Sequence, residues 1–488
     1  MIATITSLLF TNTTVRQTIV KNTFWLGVME GVNKLLKLLL IIYVARILGA
    51  GEYGTFTFAL AFIGLFSIFF HLGLHQIIVK EFSSDRQKEN DFSALLSLEI
   101  LLSLGTLLLI FFGSFFITSD FLTRKIIWIL ALYAALDNFF ALTNLFFRAR
   151  QRMEFEALTK IIQAALVTSF GLFVVFNFPS IENLSYSYLC ASFAVLVLAM
   201  VFFHTRVYRL SLCWNGKVWG KFLGMSWPLA LGGVFLTIYG NTDSVMLGLL
   251  GQVTETGWYN AAFKVIGVST IPASLIGLSF FPALSSALSD PQKLQRIWNY
   301  QMKAMIFLVV PIVVGGITLA PRIISFMYGA DFSPATLAFQ ILLVSVGLMI
   351  LYSPLAQALL IFNQQKKTLW IAPVGAGVNV LLNLILIPTY SLYGAAISTV
   401  FTYAVIFFLV FLYAVKLTPI KILNYSFVLA FVGALTSSFA MYLFISQPPI
   451  SSVPVYAVVC FGAIIYCICY LGYERVIRKL RFTPSSTS

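Results

Sequence analysis

Charged residues are scarce in this sequence: they make up 10% of its 488 residues, against about 25% in soluble globular domains. Apolar residues account for 60%, more than a soluble fold can bury. The apolar runs are long enough to cross a hydrocarbon core as helices of roughly 20 residues, and they do not alternate as the strands of an outer-membrane barrel do. The composition therefore predicts an all-α membrane protein.

Cysteine and histidine are also rare, with five and three residues. The cysteines lack metal-ligand spacing, and His71 and His75, one helical turn apart, have no third ligand nearby in the sequence. Nothing resembles a phosphate-binding loop, a nucleotide fold or a hydrolase constellation. The sequence thus predicts a protein that is not an enzyme and that binds no metal and no other cofactor.

Lysine and arginine are abundant but unevenly placed. About 24 of the 31 fall in one set of alternate gaps between the apolar runs, and about 4 fall in the other set. The net charge of +14 is spread over short loops rather than gathered on one face, which argues against nucleic acid as a partner. The bias predicts a multi-pass protein of the cell (inner or plasma) membrane with both termini in the cytoplasm.

The apolar runs predict about 14 transmembrane helices, arranged as two six-helix lobes and two peripheral C-terminal helices. No gap between them could hold an extra-membrane domain. The predicted organisation is a cytoplasmic segment 1–23, an N-lobe 24–204, a cytoplasmic linker 205–221, a C-lobe 222–415, two further spans within 416–473 and a basic cytoplasmic tail 474–488.

A faint internal repeat relates the two lobes. Glu52-x-Gly54-x-Phe56 follows the first span, and Glu255-x-Gly257-x-Tyr259 follows the seventh. Because both copies enter the membrane with the same orientation, the lobes should be related by a pseudo-twofold axis along the membrane normal. Prolines fall within spans only after residue 227, so we expect straight helices in the first half and bent helices in the second.

Several short motifs resemble those of polysaccharide-biosynthesis membrane proteins, the lipid-linked oligosaccharide (O-antigen) flippases of the multidrug/oligosaccharidyl-lipid/polysaccharide exporter superfamily. One departure is His71, where many relatives carry an acidic residue, and it puts in doubt any role borrowed for that position. The matching segments are Ala45-Arg46-x-Leu48-Gly49, Tyr53-Gly54, Leu72-Gly73-Leu74, Asp243-x-x-Met246, Gly257-x-Tyr259-x-Ala261-Ala262-x-Lys264 and Phe281-Pro282.

The resemblance implies a flippase that works by alternating access. Its substrate would be an undecaprenyl-pyrophosphate-linked oligosaccharide, moved from the cytoplasmic to the outer leaflet for the synthesis of O-antigen, capsule or exopolysaccharide. Membrane lipids, a polysaccharide polymerase and chain-length proteins would be its partners. Two alternatives remain open: a cation-coupled multidrug exporter of the same fold, and a membrane polymerase or glycosyltransferase.

A polar stripe on the first span is the first candidate site. Glu30, Lys34 and Lys37 recur at helical spacing and share one face. Each charge facing lipid costs roughly 2.5–3.5 kcal/mol, which favours a cavity-facing or paired position. Lys37 and Lys34 are therefore candidates for a cationic cavity, with a packing role for the Glu30–Lys34 pair as the alternative.

Other charges in or beside spans complete the set of candidates. Asp137, near the middle of the fourth span, could pair with Lys37 or bind a coupling H⁺ or Na⁺. Asp243 and Lys264 have equal predicted depth on neighbouring helices, which suggests an ion pair or, less strongly, a substrate site. Arg46 and Arg148 lie near span ends, where they could catch phosphate or serve as interfacial anchors.

Overall fold

The computed structural model describes residues 15–84, 91–209, 211–447, 450 and 452–482. Within these ranges the chain contains α-helices, short 3₁₀ turns and no strand. The helices are α1 (Val15–Phe66), α2 (Leu74–Ser84), α3 (Phe92–Ile117), α4 (Phe121–Ala149), α5 (Met153–Asn177), α6 (Ile181–Arg206), α7 (Gly216–Leu249), α8 (Val253–Ser269), α9 (Ile271–Ser286), α10 (Pro291–Tyr328), α11 (Ala335–Ile361), α12 (Gln365–Thr368), α13 (Ile371–Leu417), α14 (Tyr425–Ile445) and α15 (Val455–Phe482).

Twelve helical segments of the described chain are long and apolar enough to cross a membrane. Two of these, within 21–70 and 365–417, are 50 and 53 residues long, about twice the length of one crossing. Each is broken near its middle by a residue in the left-handed region, Gly49 (φ 78°) and Ser391 (φ 52°). Counting two crossings for each of these gives the fourteen that the sequence predicts, so the all-α membrane fold is confirmed.

The described residues form two compact units. The first contains the chain up to Ala261 together with Ala376–Ala395. The second contains Ala262–Gly375 and the chain from Ala396 onwards. The boundaries predicted from sequence for the two lobes and their linker stay predictions.

The core of the first unit includes an aromatic cluster near one end of its helices. The rings of Phe92 (α3) and Phe146 (α4) lie 4.6 Å apart edge to face, and Phe203 (α6) lies 4.9 Å from Phe146. Edge-to-face contacts of this kind add to the free energy of apolar burial. The cluster holds the three crossings α3, α4 and α6 together.

The second unit is built around the long helix α10, which packs against α11 and α14. Trp298 of α10 is fully buried in the core of this unit. Prolines lie inside several helices of the second half, including Pro311 and Pro321 of α10, as the sequence indicates.

The expectation of straight helices in the first half is wrong at one point. The predicted second span continues beyond α1 as a 3₁₀ turn, Ser67–Phe70, and then breaks before α2. The break contains Leu72 (φ 44°) and Gly73 (φ 73°), both in the left-handed region. The kink therefore comes from a turn conformation and not from proline, and a count of prolines could not reveal it.

Candidate functional site

The first crossing of α1 carries polar and apolar exposed surfaces on opposite sides. Lys37 is exposed near the middle of the segment between Lys21 and Gly49. Leu35 and Leu39 are 57% and 43% exposed, and at 100° per residue they lie roughly opposite Lys37. An exposed leucine face suits acyl chains, whereas an exposed ammonium requires water or a counter-ion. The geometry therefore gives α1 one lipid-type face and one aqueous-type face.

The polar face of α1, from Glu30 to Lys37, extends over about two turns. Lys34 Nζ lies 3.2 Å from Glu30 Oε1, the pair that the sequence predicts one turn apart. Gly31, between them, has open space where a Cβ atom would stand. Lys37 has no hydrogen-bond or ion-pair partner among the described residues. Of the two lysines, Lys37 is thus the one whose charge is available to a ligand.

Arg46 does not join this polar face. It lies nine residues after Lys37 in the same unbroken helical stretch, which places it on the opposite side, near the line of Leu39. The structure does not bring Arg46 and Lys37 together on one face, and the role predicted for Arg46 at a cavity mouth stays a prediction.

Asp137 is held by its neighbour on α5 rather than by Lys37. Gln163 Nε2 donates a hydrogen bond of 2.7 Å to Asp137 Oδ1. No contact joins Asp137 to Lys37 within the described part of the chain. The Gln163 amide is uncharged and does not act as a counter-ion for Asp137. Binding of a cation at Asp137 stays a prediction.

Arg148 is engaged by a buried carboxylate. Its guanidinium contacts both oxygens of Glu156, with Nε 3.1 Å from Oε2, and Lys160 Nζ lies 3.0 Å from Oε1. Glu156 is 1% exposed, so its charge needs these cations. The Arg148 guanidinium, which the sequence suggests could bind phosphate, is therefore bound to the carboxylate of Glu156 instead.

Asp243 is the most fully coordinated of the predicted site residues. It is buried, and Tyr259 Oη donates a hydrogen bond of 2.5 Å to Oδ2. Asn383 Nδ2 and Asn379 Nδ2 donate to Oδ1 at 2.6 and 3.0 Å. The Oδ1 atom of Asn383 is buried with no hydrogen-bond partner. Lys264 belongs to the second unit, and its predicted ion pair with Asp243 stays a prediction.

Sequence reasoning missed two buried ion contacts. Lys21 Nζ, with a fully buried side chain, lies 2.8 Å from Glu154 Oε2 and joins the starts of α1 and α5. Glu99, fully buried in α3, lies next to His75. One signal was available: Glu99 is the only charged residue of its helix, and a lone carboxyl in an apolar span is a candidate functional group by default.

The second unit contains an apolar cavity of about 390 Å³. Its walls come from α10, α14 and α15, with further residues from α8 and α11. Small residues keep it open: Gly315 and Gly316 on α10, and Gly462 and Ala463 on α15. Because its lining is apolar, the cavity suits a hydrocarbon chain and disfavours a charged ligand.

The described residues contain no group of three or more histidine, cysteine, aspartate or glutamate side chains that could hold a metal ion. His71 and His75 stack with ring centroids 4.3 Å apart, but they are not one turn apart on a helix, because the break at Leu72 and Gly73 separates them.

The fold and the polar face of α1 define a multi-pass membrane protein of the transporter class. The chain belongs to the polysaccharide biosynthesis protein family, whose sequence profile matches residues 19–288. It is 24% identical over 379 residues to the protein named probable low-salt glycan biosynthesis flippase Agl15 of Haloferax volcanii, covering 76% of this chain and 78% of that one.

Two solved structures share the fold. The lipid II flippase MurJ in its inward closed conformation aligns with a TM-score of 0.76 at 18% identity, over 92% of this chain and 97% of that chain. An inward-facing multidrug resistance MATE family transporter aligns with a TM-score of 0.64 at 15% identity, over 79% of this chain and 94% of that chain. At identities this low, the similarity shows a shared fold and does not assign roles to individual residues.

Proposed function

We propose that this protein is a flippase that moves an undecaprenyl-pyrophosphate-linked oligosaccharide from the cytoplasmic to the outer leaflet by alternating access. Such a carrier would serve the synthesis of a cell-surface polysaccharide such as O-antigen, capsule or exopolysaccharide. Family membership supports this proposal, as does the name of the Haloferax relative, a glycan biosynthesis flippase. The MurJ fold, seen in a lipid II flippase, is compatible with it.

The observation that carries the proposal is Lys37, an exposed ammonium within an apolar span that has no partner among the described residues. A pyrophosphate headgroup cannot cross hydrocarbon unaided, because an isolated charge there costs many kcal/mol. A cation on an aqueous-type face lowers that barrier through charge-assisted hydrogen bonds to phosphate oxygens. Lys34, one turn away, is paired with Glu30, so the net positive charge of this face comes from Lys37.

The apolar cavity of the second unit supports a substrate with a hydrocarbon chain. A polyprenyl tail needs an apolar path while its headgroup is in the protein. The cavity near Gly462 and Ala463 is lined by residues of that character and has room for several isoprene units. We assign it to the tail of the substrate.

A cation-coupled multidrug exporter is the second candidate, because the fold is shared with a MATE family transporter. The charge of the polar face separates the two candidates. An exporter of organic cations needs a surface with excess negative charge, whereas the described face of α1 carries two lysines and one glutamate. An anionic substrate is the better match.

We place both termini in the cytoplasm of a cell-membrane protein because of the loop charge bias, with a polysaccharide polymerase and chain-length proteins as neighbours in the pathway. Transport would be coupled to H⁺ or Na⁺, with Glu30, Asp137 and Asp243 as the carboxylate candidates. Asn383 Oδ1, buried without a hydrogen-bond partner beside Asp243, is an oxygen ligand of the kind that a hard cation such as Na⁺ prefers. The protein would transport without bond-making chemistry.

The test is a translocation assay in proteoliposomes that contain the purified protein and a fluorescent undecaprenyl-pyrophosphate oligosaccharide. We expect the label to move across the bilayer with wild-type protein and to stay with empty vesicles. Efflux of organic-cation drugs, in place of glycolipid movement, would replace this proposal with the exporter.

A further inference from the structure

The break in the second crossing is built around a histidine. His71 Nδ1 accepts a hydrogen bond of 3.1 Å from the backbone N–H of Gly73. A Cβ atom on Gly73 would lie 3.0 Å from the backbone N of Ala230 and the carbonyl oxygen of Ser226 in α7, so the turn packs closely on that helix. Because Nδ1 already accepts this bond, protonation of His71 would disrupt the turn. His71 is therefore held in its neutral form.

A second histidine connects this turn to a buried carboxyl group. The ring of His75 stacks on that of His71 with an interplanar angle of 17°. His75 Nε2 lies 3.1 Å from Glu99 Oε1, off the direction of a good hydrogen bond, and neither atom has another partner among the described residues. The other oxygen, Glu99 Oε2, accepts a bond of 3.0 Å from Asn138 Nδ2 on α4. Three elements, α2, α3 and α4, thus meet at one carboxyl group.

Burial makes the charge of this group expensive. Glu99 is fully buried, and its side chain lies about 10 Å along α3 from the helix start, at 1.5 Å per residue. The side chain of His75 is 17% exposed, so His75 is the member of the pair that solvent can reach. An ionised carboxylate without a counter-charge is strongly disfavoured at such a site. His75 is the group that can bring or remove a proton.

Few other charged or titratable groups face this pair. From α7 there are none between Lys221 and Tyr239, and the 3₁₀ turn carries none. α1 approaches α3 through Phe62 and Phe66, near Gly113. His71 is stacked on the pair, and α4 carries Tyr133 and Asp137 within two turns of Asn138, with Asp137 bonded to Gln163. The charged residues farther along these helices are Lys80 and Glu81 on α2 and Arg124, Lys125 and Arg148 on α4. The segment that contacts α3 at Ser93 and Ser97 carries Tyr208 and Cys213.

We infer that His75 and Glu99 together bind one proton and that this is the proton exchanged for substrate during flipping; the inference rests on the proposed function. In the loaded state the pair is neutral, either as imidazolium with carboxylate or as imidazole with carboxylic acid. Release passes the proton to water through His75 and leaves imidazole and carboxylate, a net charge of −1.

The location of the pair links proton release to movement of the helix. A buried net charge is tolerated only where water or a new donor reaches Glu99, so release requires the contact of α2 with α3 to open. The non-helical turn that ends at Gly73 is a joint about which α2 can move. Asp137 and Asp243, by comparison, contact amide and phenol groups that neither gain nor lose a proton near neutral pH.

The experiment uses the full-length protein with Glu99→Gln and His75→Gln. Glutamine at position 99 can still accept the bond from Asn138, so the fold is retained while the proton site is lost. Glu182→Gln is the matched control, because Glu182 pairs with Lys125 at the start of α6, away from the cluster. Glycolipid translocation is measured in proteoliposomes under an imposed pH gradient and, separately, under an imposed Na⁺ gradient.

We expect the pH gradient to stimulate wild type and the Glu182→Gln variant, and the stimulation to be lost in Glu99→Gln and His75→Gln. Infrared difference spectra recorded against pH give a second readout that needs no transport: a protonated-carboxyl band should titrate in wild type and be absent in Glu99→Gln. A wild-type protein that responds only to Na⁺, or a Glu99→Gln variant that keeps both the stimulation and the band, overturns the inference. Neither result affects the proposed function, which fails instead if wild type moves no glycolipid under any gradient.

Discussion

Gly54 and Gly257 lie against each other in a symmetric backbone contact within the first compact unit. A Cβ atom on Gly54 would stand 1.8 Å from the carbonyl oxygen of Val253, and one on Gly257 would stand 2.1 Å from that of Ala50. Gly257 follows Gly54 by 203 positions, and Val253 follows Ala50 by the same number. The two copies of the repeat therefore meet at their equivalent glycines, as a local twofold axis between them requires.

This contact predicts an effect on stability. Gly54→Ala and Gly257→Ala each force backbone apart and should destabilise the protein by at least about 1–3 kcal/mol, the usual range for overpacking. The measurement is the Tm of the purified variants in detergent. Gly51→Ala serves as the control, because its added Cβ would meet only Thr254 Oγ1 at 3.8 Å. Equal Tm values for Gly54→Ala and Gly51→Ala would contradict the close approach.

A second prediction concerns the free charge of α1. Lys37→Ala should slow glycolipid translocation roughly tenfold or more, because hydrogen bonds to charged groups contribute about 1.5–3 kcal/mol. Lys37→Arg keeps the charge and should retain most of the rate. Leu39→Ala, on the leucine face of the same helix, should leave the rate near that of wild type. If truncation of Leu39 has the larger effect, the polar face is not the path of the headgroup.

The third prediction tests the coordination of Asp243. The Asp243 carboxylate accepts three hydrogen bonds in a buried position. Asp243→Asn removes this charged acceptor and should lower the free energy of unfolding by about 1–3 kcal/mol. Thermal unfolding with and without Na⁺ measures this change. Glu52→Gln makes the same chemical substitution at an exposed position and should have little effect. If Na⁺ stabilises wild type and not Asp243→Asn, the site binds the cation; equal stabilisation of both excludes it.

The fourth prediction concerns the apolar cavity. Ala463→Phe fills part of its 390 Å³ and should slow translocation of substrates with a long polyprenyl tail more than that of short-chain analogues. Leu471→Phe adds a ring to an exposed position of α15 outside the cavity and should not discriminate between tail lengths. The ratio of the two rates, long tail to short tail, is the quantity to compare. An unchanged ratio in Ala463→Phe would mean that the tail lies elsewhere.

Local patterns predicted some parts of the site well. Glu30 and Lys34 are paired as their spacing indicates, because residues four apart on a helix are neighbours whatever the tertiary structure. The stack of His71 on His75 does not follow from this rule, because the left-handed residues Leu72 and Gly73 lie between them. The partner of Arg148 could not be predicted from helical spacing, because Glu156 lies on another helix. The position of Arg148 near a helix end was compatible with phosphate binding or anchoring, and only the packing of Glu156 beside it decided that its guanidinium binds a carboxylate.

The sequence by itself determined that this protein is an all-α, multi-pass membrane protein, because transfer of apolar runs into lipid and satisfaction of their backbone amides depend on each run alone. The tertiary structure decided which polar groups meet. Asp243 reaches Asn379 and Asn383 more than 130 residues away, and Glu99 reaches Asn138 on another helix. Helix rotation and the break at Leu72 and Gly73 set these contacts, and both depend on packing between segments, which a one-dimensional pattern does not contain.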